Sequence, residues 1–238
     1  MDIYIDTANL DEIQQAAALG ILDGVTTNPS LLAREGTDSQ TRLEEICRVV
    51  RGPVSAEVVA TEHEPMVSEG LALAQIADNI VVKLPCIETG LQACKTLSDQ
   101  KIRINMTLCF QPLQALMAAK AGAFLISPFV GRVDDVGGDG MEIVQQIRQI
   151  YDNYGYETKI LTASIRHPQH LVQAAMIGSD VATCPFQVIQ QVMKHPLTDI
   201  GLQRFLADWE EARGAGAQGR RGAATAKSPS SPAPVPSS

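Results

Sequence analysis

Lys83 stands in the middle of a hydrophobic run, Ile80-Val81-Val82-Lys83-Leu84-Pro85, and it alone of the seven lysines is so placed. Burying an ammonium is costly, and burial favours the neutral form of an amine. A neutral amine is a nucleophile for a carbonyl. A structural lysine paired with a carboxylate is the plainer alternative, but charged residues are seldom fully buried without a reason. Other polar residues close the ends of apolar runs: Asp6; Thr26, Thr27 and Asn28; Glu57; Asn105 and Thr107; Ser127 and Arg132; Ser164 and Arg166. One amine, two carboxylates, several hydroxyl and amide groups and two arginines together suit Schiff-base carbon–carbon chemistry on a phosphorylated polyol. Singly, each signal is weak, since Asn28 before Pro29 and Asp6 before Thr7 also read as cap or turn residues.

Something must bring these run ends together. Short β-branched runs at 3–6, 24–27, 54–58, 80–84, 102–106, 123–127, 159–162 and 180–183 read as strands. Amphipathic stretches at 10–19, 40–50, 64–77, 88–98, 112–121, 140–151, 168–177 and 185–193 read as helices. Asn9 with Glu12 three residues on forms a capping box for the first helix, and Gly20 ends it. Pro65, Pro112, Pro168 and Pro185 lie near helix starts, where a missing N–H does no harm. Eight βα pairs at roughly 25 residues each predict a compact (β/α)8 TIM barrel over 1–213, in which all the polar strand ends face one mouth. An open, doubly wound sheet is the competing architecture. The count of eight favours closure, and no strand is followed by a G-x-G-x-x-G or G-x-x-x-x-G-K-[ST] loop. Residues 195–213, with Leu197, Ile200, Leu202, Phe205, Leu206 and Trp209 at helical spacing, predict an extra C-terminal helix.

The 238 residues are 45% hydrophobic and 19% charged, enough to bury a large core. A formal charge of -8 and a pI near 5 argue against nucleic acid as a partner. Five cysteines with no C-x-x-C fit a reducing cytoplasm rather than a disulfide frame or a zinc site. The start, Met1-Asp2-Ile3-Tyr4-Ile5-Asp6, lacks the basic and apolar stretches of a signal peptide, and no apolar run is long enough to span a membrane. Residues 214–238 hold no aromatic and no acidic residue beside Arg220, Arg221 and Lys227, and are expected to form a disordered tail. The four histidines include no H-E-x-x-H, so His167 and His170, flanking Pro168, are expected at capping or surface positions rather than on a metal. Asp134-Asp135-Val136-Gly137-Gly138-Asp139-Gly140 lacks the twelfth-position Glu of a calcium loop and is expected to be a mobile loop.

Six segments together resemble the small transaldolases and their siblings, the fructose 6-phosphate aldolases: Ile5-Asp6-Thr7-Ala8-Asn9, Thr26-Thr27-Asn28-Pro29-Ser30-Leu31, Val82-Lys83-Leu84-Pro85, Asn105-Met106-Thr107-Leu108, Ser127-Pro128-Phe129-Val130-Gly131-Arg132 and Ala163-Ser164-Ile165-Arg166. The resemblance spans Met1 to about Arg213 and leaves the tail uncovered. It implies a class I transaldolase without cofactor or metal, acting on small-molecule sugar phosphates in the non-oxidative pentose phosphate pathway, and a homo-oligomer. Lys83 would form the Schiff base, Asp6 would exchange the C4 hydroxyl proton, and Glu57 would shuttle protons through a water held with Thr107. Asn28 and Asn105, with Thr26 and Ser127, would bind the dihydroxyacetone unit. Arg132, Arg166 and Ser164 would clamp the phosphate. Glu57 and Phe129 are of the transaldolase type, where the aldolases carry Gln and Tyr. Fructose 6-phosphate aldolase activity and a non-catalytic phosphosugar-binding barrel are the alternatives.

Overall fold

Each apolar run and the amphipathic stretch behind it fold as one βα unit. The strands are β1 (Asp2–Asp6), β2 (Gly24–Thr26), β3 (Val54–Glu57), β4 (Ile80–Pro85), β5 (Ile104–Cys109), β6 (Leu125–Pro128), β7 (Lys159–Thr162) and β8 (Val181–Cys184). All pair in parallel in chain order, and β8 pairs back onto β1, so the sheet is a closed (β/α)8 TIM barrel. The computed structural model describes residues 1–224, with side chains as far as residue 213, and contains two compact units, Met1–Val192 and a second beginning at Met193.

Side chains alternate along a strand, and here the alternation sorts the barrel interior into layers. Tyr4, Val81, Leu125, Leu161, Ala163 and Val181 form a small apolar cluster of their own. Two residues further along β1, β4, β6 and β8 stand Asp6, Lys83, Ser127 and Thr183. The apolar layer therefore plugs one end of the barrel, and a mostly polar layer lines the carboxyl-end mouth. Burial of the Tyr4 phenol raises its pKa to about 12, so the plug stays uncharged. Odd-register neighbours such as Val82, Leu84 and Met106 point outward into the main core beneath the helices. Strand register then sets the functional residues level: Glu57 is opposite Lys83, Lys83 opposite Asn105, and Asp6 opposite Thr26.

The helices are α1 (Leu10–Ala18), α2 (Pro29–Arg34), α3 (Ser39–Val49), α4 (His63–Ala74), α5 (Glu88–Asp99), α6 (Pro112–Lys120), α7 (Val130–Asp134), α8 (Gly140–Tyr154), α9 (Pro168–Ile177) and α10 (Phe186–Val192). Short α2 and α7 were not expected, being too brief to show a period; both follow a strand end directly and form part of the mouth. β5 begins later than its sequence run, because Lys101 turns the chain in a left-handed conformation and pairing starts only at Arg103. It also runs further, to Cys109, through an irregularity where Leu108 has φ +56°. The expected capping box at α1 is half formed: Asn9 Oδ1 accepts the Glu12 N–H, but the Glu12 carboxylate takes a hydrogen bond from Thr7 Oγ1 at 2.6 Å instead of the Asn9 N–H. In the second unit, α11 (Pro196–Ala224) carries the expected C-terminal helix beyond Arg213 into the stretch expected to be disordered; residues 225–238 lie outside the described residues. Among the described residues no helix is long and apolar enough to cross a membrane.

Candidate active site

Lys83 is only 4% exposed, and its Nζ makes two defined contacts. It donates to the Thr27 carbonyl at 3.1 Å and meets Glu57 Oε2 at 3.0 Å. Both are fixed by strand pairing: β3 sets Glu57 beside Lys83, and β2 ends where the Thr27 carbonyl turns inward. Lys83 also helps to line the mouth cavity. A partly buried carboxylate would otherwise be costly; here the amine is its partner.

Asp6 sits across the barrel in a chain of hydroxyls. Thr26 Oγ1 donates to Asp6 Oδ1 at 2.7 Å, and Thr26 and Thr183 hydroxyls lie 2.7 Å apart. Asp6 Oδ2 stays free for the cavity. Asn28 caps α2, its Oδ1 accepting the Leu31 N–H at 2.9 Å, which leaves the amide NH2 to the mouth. Asn105 is fully buried: Nδ2 donates to Ser55 Oγ at 3.1 Å, and Oδ1 accepts from Ser127 Oγ at 2.7 Å. Thr107 Oγ1 is buried with no hydrogen-bond partner among the described residues. Buried hydroxyls of that kind call for an explanation.

Two adjoining lobes make up the cavity. One, of about 180 Å³, is lined by Asp6, Thr26, Asn28, Lys83, Ser127, Phe129, Arg132, Ser164 and Arg166 among others. The other, of about 460 Å³, shares Asp6, Asn28, Lys83, Phe129 and Arg132 and adds Glu57. Ten of the thirteen residues singled out from sequence therefore meet at one mouth. Thr27, Asn105 and Thr107 are buried and line neither lobe.

Arg132 and Arg166 come from different elements at the rim. α7 starts directly after β6 and carries Arg132, whose guanidinium carbon lies 5.3 Å from the Phe129 ring centroid. Arg166 lies in the β7–α9 connection, where its side chain meets Asp135 at 2.8 Å on the rim. Backbone bonds weld the two segments: Val130 and Gly131 N–H groups donate to the Ala163 and Ser164 carbonyls, each at 3.1 Å. This close approach needs a glycine, because a Cβ on Gly131 would come within 2.2 Å of the Ser164 carbonyl oxygen. Ser164 itself holds φ +58°, a strained conformation for a residue with a side chain.

Three residues at or near the mouth escaped the sequence reading. Thr183 could have been found, as it ends the eighth run in the way that Thr26 ends the second. Arg34, at the end of α2, borders the larger lobe and gave no sequence signal. His170 was expected at a cap or on the surface and is instead buried, with Asp134 Oδ2 2.9 Å from its Nε2. His167 does precede α9, without a side-chain cap bond. Asp134 and Asp139, expected in a mobile loop, are both engaged with the start of α8: Asp134 Oδ1 accepts from the Gly140 N–H and Asp139 Oδ1 from those of Met141 and Glu142. No group of three or more His, Cys, Asp or Glu side chains placed to hold a metal ion occurs among the described residues.

A closed (β/α)8 barrel with a buried amine, carboxylates and two arginines at its carboxyl-end mouth defines a class, the TIM-barrel enzymes, whose active sites are built at that face. Fold alone does not fix the reaction. The family described as Transaldolase/Fructose-6-phosphate aldolase matches residues 3–216. A probable transaldolase of Petrotoga mobilis is 56% identical over 211 residues, covering 89% of this chain and 96% of its own. Probable transaldolases of Thermodesulfovibrio yellowstonii and Roseiflexus sp. are 54% and 57% identical, covering 90% and 88% of this chain and 100% and 97% of their own. The chain belongs to the transaldolase/fructose 6-phosphate aldolase family and is an enzyme, a transferase of the transaldolase type.

Proposed function

We propose that this enzyme transfers a dihydroxyacetone unit from sedoheptulose 7-phosphate or fructose 6-phosphate to glyceraldehyde 3-phosphate or erythrose 4-phosphate through a Schiff base on Lys83. The observation that carries this reading is the Lys83 amine, buried at the mouth and 3.0 Å from Glu57. Nζ adds to the donor's C2 ketone, and the carbinolamine loses its hydroxyl as water to give an iminium. Glu57 supplies and removes protons in these steps, through a water held with the otherwise unpartnered Thr107 hydroxyl. Asp6, oriented by Thr26, takes the C4 hydroxyl proton. The C3–C4 bond then breaks, its electrons pass into the iminium, and the aldose phosphate leaves. The resulting enamine attacks the acceptor aldehyde, Asp6 returns its proton to the new C4 hydroxyl, and hydrolysis of the iminium consumes one water.

Asn28, Asn105 and Ser127 hold the hydroxyls of the retained unit, and Arg132, Arg166 and Ser164 bind the phosphate by charge-assisted bonds. Glu57 and Phe129 favour transfer over simple aldol cleavage, in keeping with the relatives named probable transaldolases. We place the reaction in the cytoplasm, in a homo-oligomer of one catalytic domain per chain (1–213), as part of the non-oxidative pentose phosphate pathway.

The test is borohydride reduction in the presence of fructose 6-phosphate without acceptor, followed by mass spectrometry of the native protein and Lys83→Ala. A dihydroxyacetone-sized adduct on Lys83, absent from the variant, is expected. No adduct on either protein despite ligand binding would replace this reading with a non-catalytic phosphosugar-binding barrel. Release of free dihydroxyacetone at a rate matching transfer would favour the aldolase.

A further inference from the structure

His170 is 4% exposed, sits in the first turn of α9 and has its polar contacts with Arg166 and Asp134 rather than with Lys83, Glu57 or Asp6. Its two ring nitrogens nevertheless join the two segments that carry the arginines. Nδ1 accepts the backbone N–H of Arg166 at 3.3 Å. An acceptor Nδ1 puts the ring proton on Nε2, which donates to Asp134 Oδ2 at 2.9 Å. Asp134 is the last residue of α7, two residues after Arg132, and its other oxygen accepts the Gly140 N–H at 2.9 Å. One neutral imidazole thus ties the β7–α9 connection, with Ser164 and Arg166, to α7 with Arg132.

Taking the proposed sugar-phosphate reading as its basis, we infer that His170 is a positioning residue that fixes the spacing of Arg132 and Arg166 for one phosphate. Two arginines recognise a phosphate well only if their separation is set before it arrives, since each ordering step on binding subtracts from affinity. Arg166 has little else to hold it. Its guanidinium is half exposed and paired to the rim residue Asp135, a contact that a phosphate must displace. The imidazole is suited to the task only while neutral, since an imidazolium cannot accept the Arg166 N–H. Burial, reinforced by His167 and Arg166, holds its pKa below the ordinary value of 6.5 against the opposing pull of Asp134. His167 stacks on it with ring centroids 3.8 Å apart.

The two bonds can be broken separately. In His170→Asn the amide oxygen can replace Nδ1 but nothing reaches Asp134; in His170→Gln the amide nitrogen can reach Asp134 but the Arg166 N–H loses its acceptor. Asp134→Asn, at a half-buried position, supplies a third variant least prone to misfold. The test compares reductive trapping at Lys83, as a function of donor concentration, for fructose 6-phosphate and for unphosphorylated dihydroxyacetone, alongside KM and kcat for transfer. We expect half-saturation by fructose 6-phosphate and KM to rise about tenfold in each variant, kcat to change less than threefold, and half-saturation by dihydroxyacetone to stay unchanged. Correctly folded variants that lose both donors equally, or neither, would overturn the inference and leave the proposed function standing. Native protein that traps no sugar at Lys83 would overturn both.

Discussion

Glu57→Gln removes one proton site and almost no volume. Oε2 lies 3.0 Å from Lys83 Nζ, inside direct hydrogen-bond range, so a carboxylate there can pass protons to and from the reacting nitrogen in one step or through one water. Glutamine keeps an acceptor for the ammonium but cannot carry a proton. General acid–base catalysis of this kind contributes about 10²–10⁴-fold, equivalent to about 2.7–5.4 kcal/mol. The structural cost is smaller, because a charged hydrogen bond becomes a neutral one, at about 1 kcal/mol and about 2–4 °C in melting temperature. A stopped transfer assay with fructose 6-phosphate and erythrose 4-phosphate, run beside thermal unfolding, separates the two. Transfer should fall at least a hundredfold while the protein stays folded at assay temperature. Transfer and cleavage rates both within threefold of the native enzyme would refute the proton role of Glu57.

Other perturbations give equally direct expectations. Asp135→Asn frees Arg166 from its rim partner; the pair is half exposed and worth at most about 1 kcal/mol, so KM for phosphorylated donors should fall by up to about fivefold with stability unchanged, as steady-state kinetics would show. Tyr151→Phe leaves the buried Ala115 carbonyl without the hydroxyl that donates to it at 2.8 Å, costing about 1–3 kcal/mol, and the denaturant midpoint should drop while KM holds. Below the ordinary His pKa of 6.5, unfolded chain takes up a proton that folded His170 refuses, so stability should decline as pH falls from about 7 to about 5, less steeply in His170→Gln by denaturant titration.

Much of the fold was readable because closure needs eight similar units, and β-branched runs near 25-residue spacing are hard to mistake. Lys83 was readable for a related reason: a lone cation among Ile80, Val81, Val82 and Leu84 breaks the local pattern. What escaped depends on contacts made across the chain. α2 and α7 span less than two turns, so no period could show, and their helicity follows from sitting on strand ends. The limits of β5 depend on the left-handed turns at Lys101 and Leu108, which non-glycine residues do not advertise. His170 looks like any histidine after a proline until the fold brings Asp134, 36 positions earlier, to its Nε2. Asn28 shows how two readings can both apply, since one end of its amide caps α2 while the other remains at the mouth.

The pairing of β8 with β1 also governs when the site can exist during synthesis. Thr183 anchors Thr26 and, through it, Asp6, yet it is among the last barrel residues to leave the ribosome. Until then β1 has an unpaired edge, and a nascent chain carrying Lys83, Glu57 and Asn105 in their places still lacks the hydroxyl relay that orients Asp6. Such sheets fold slowly because their pairings join distant residues. A truncated or stalled chain that lacks β8 is therefore expected to be inert toward sugars and prone to edge-to-edge association along β1.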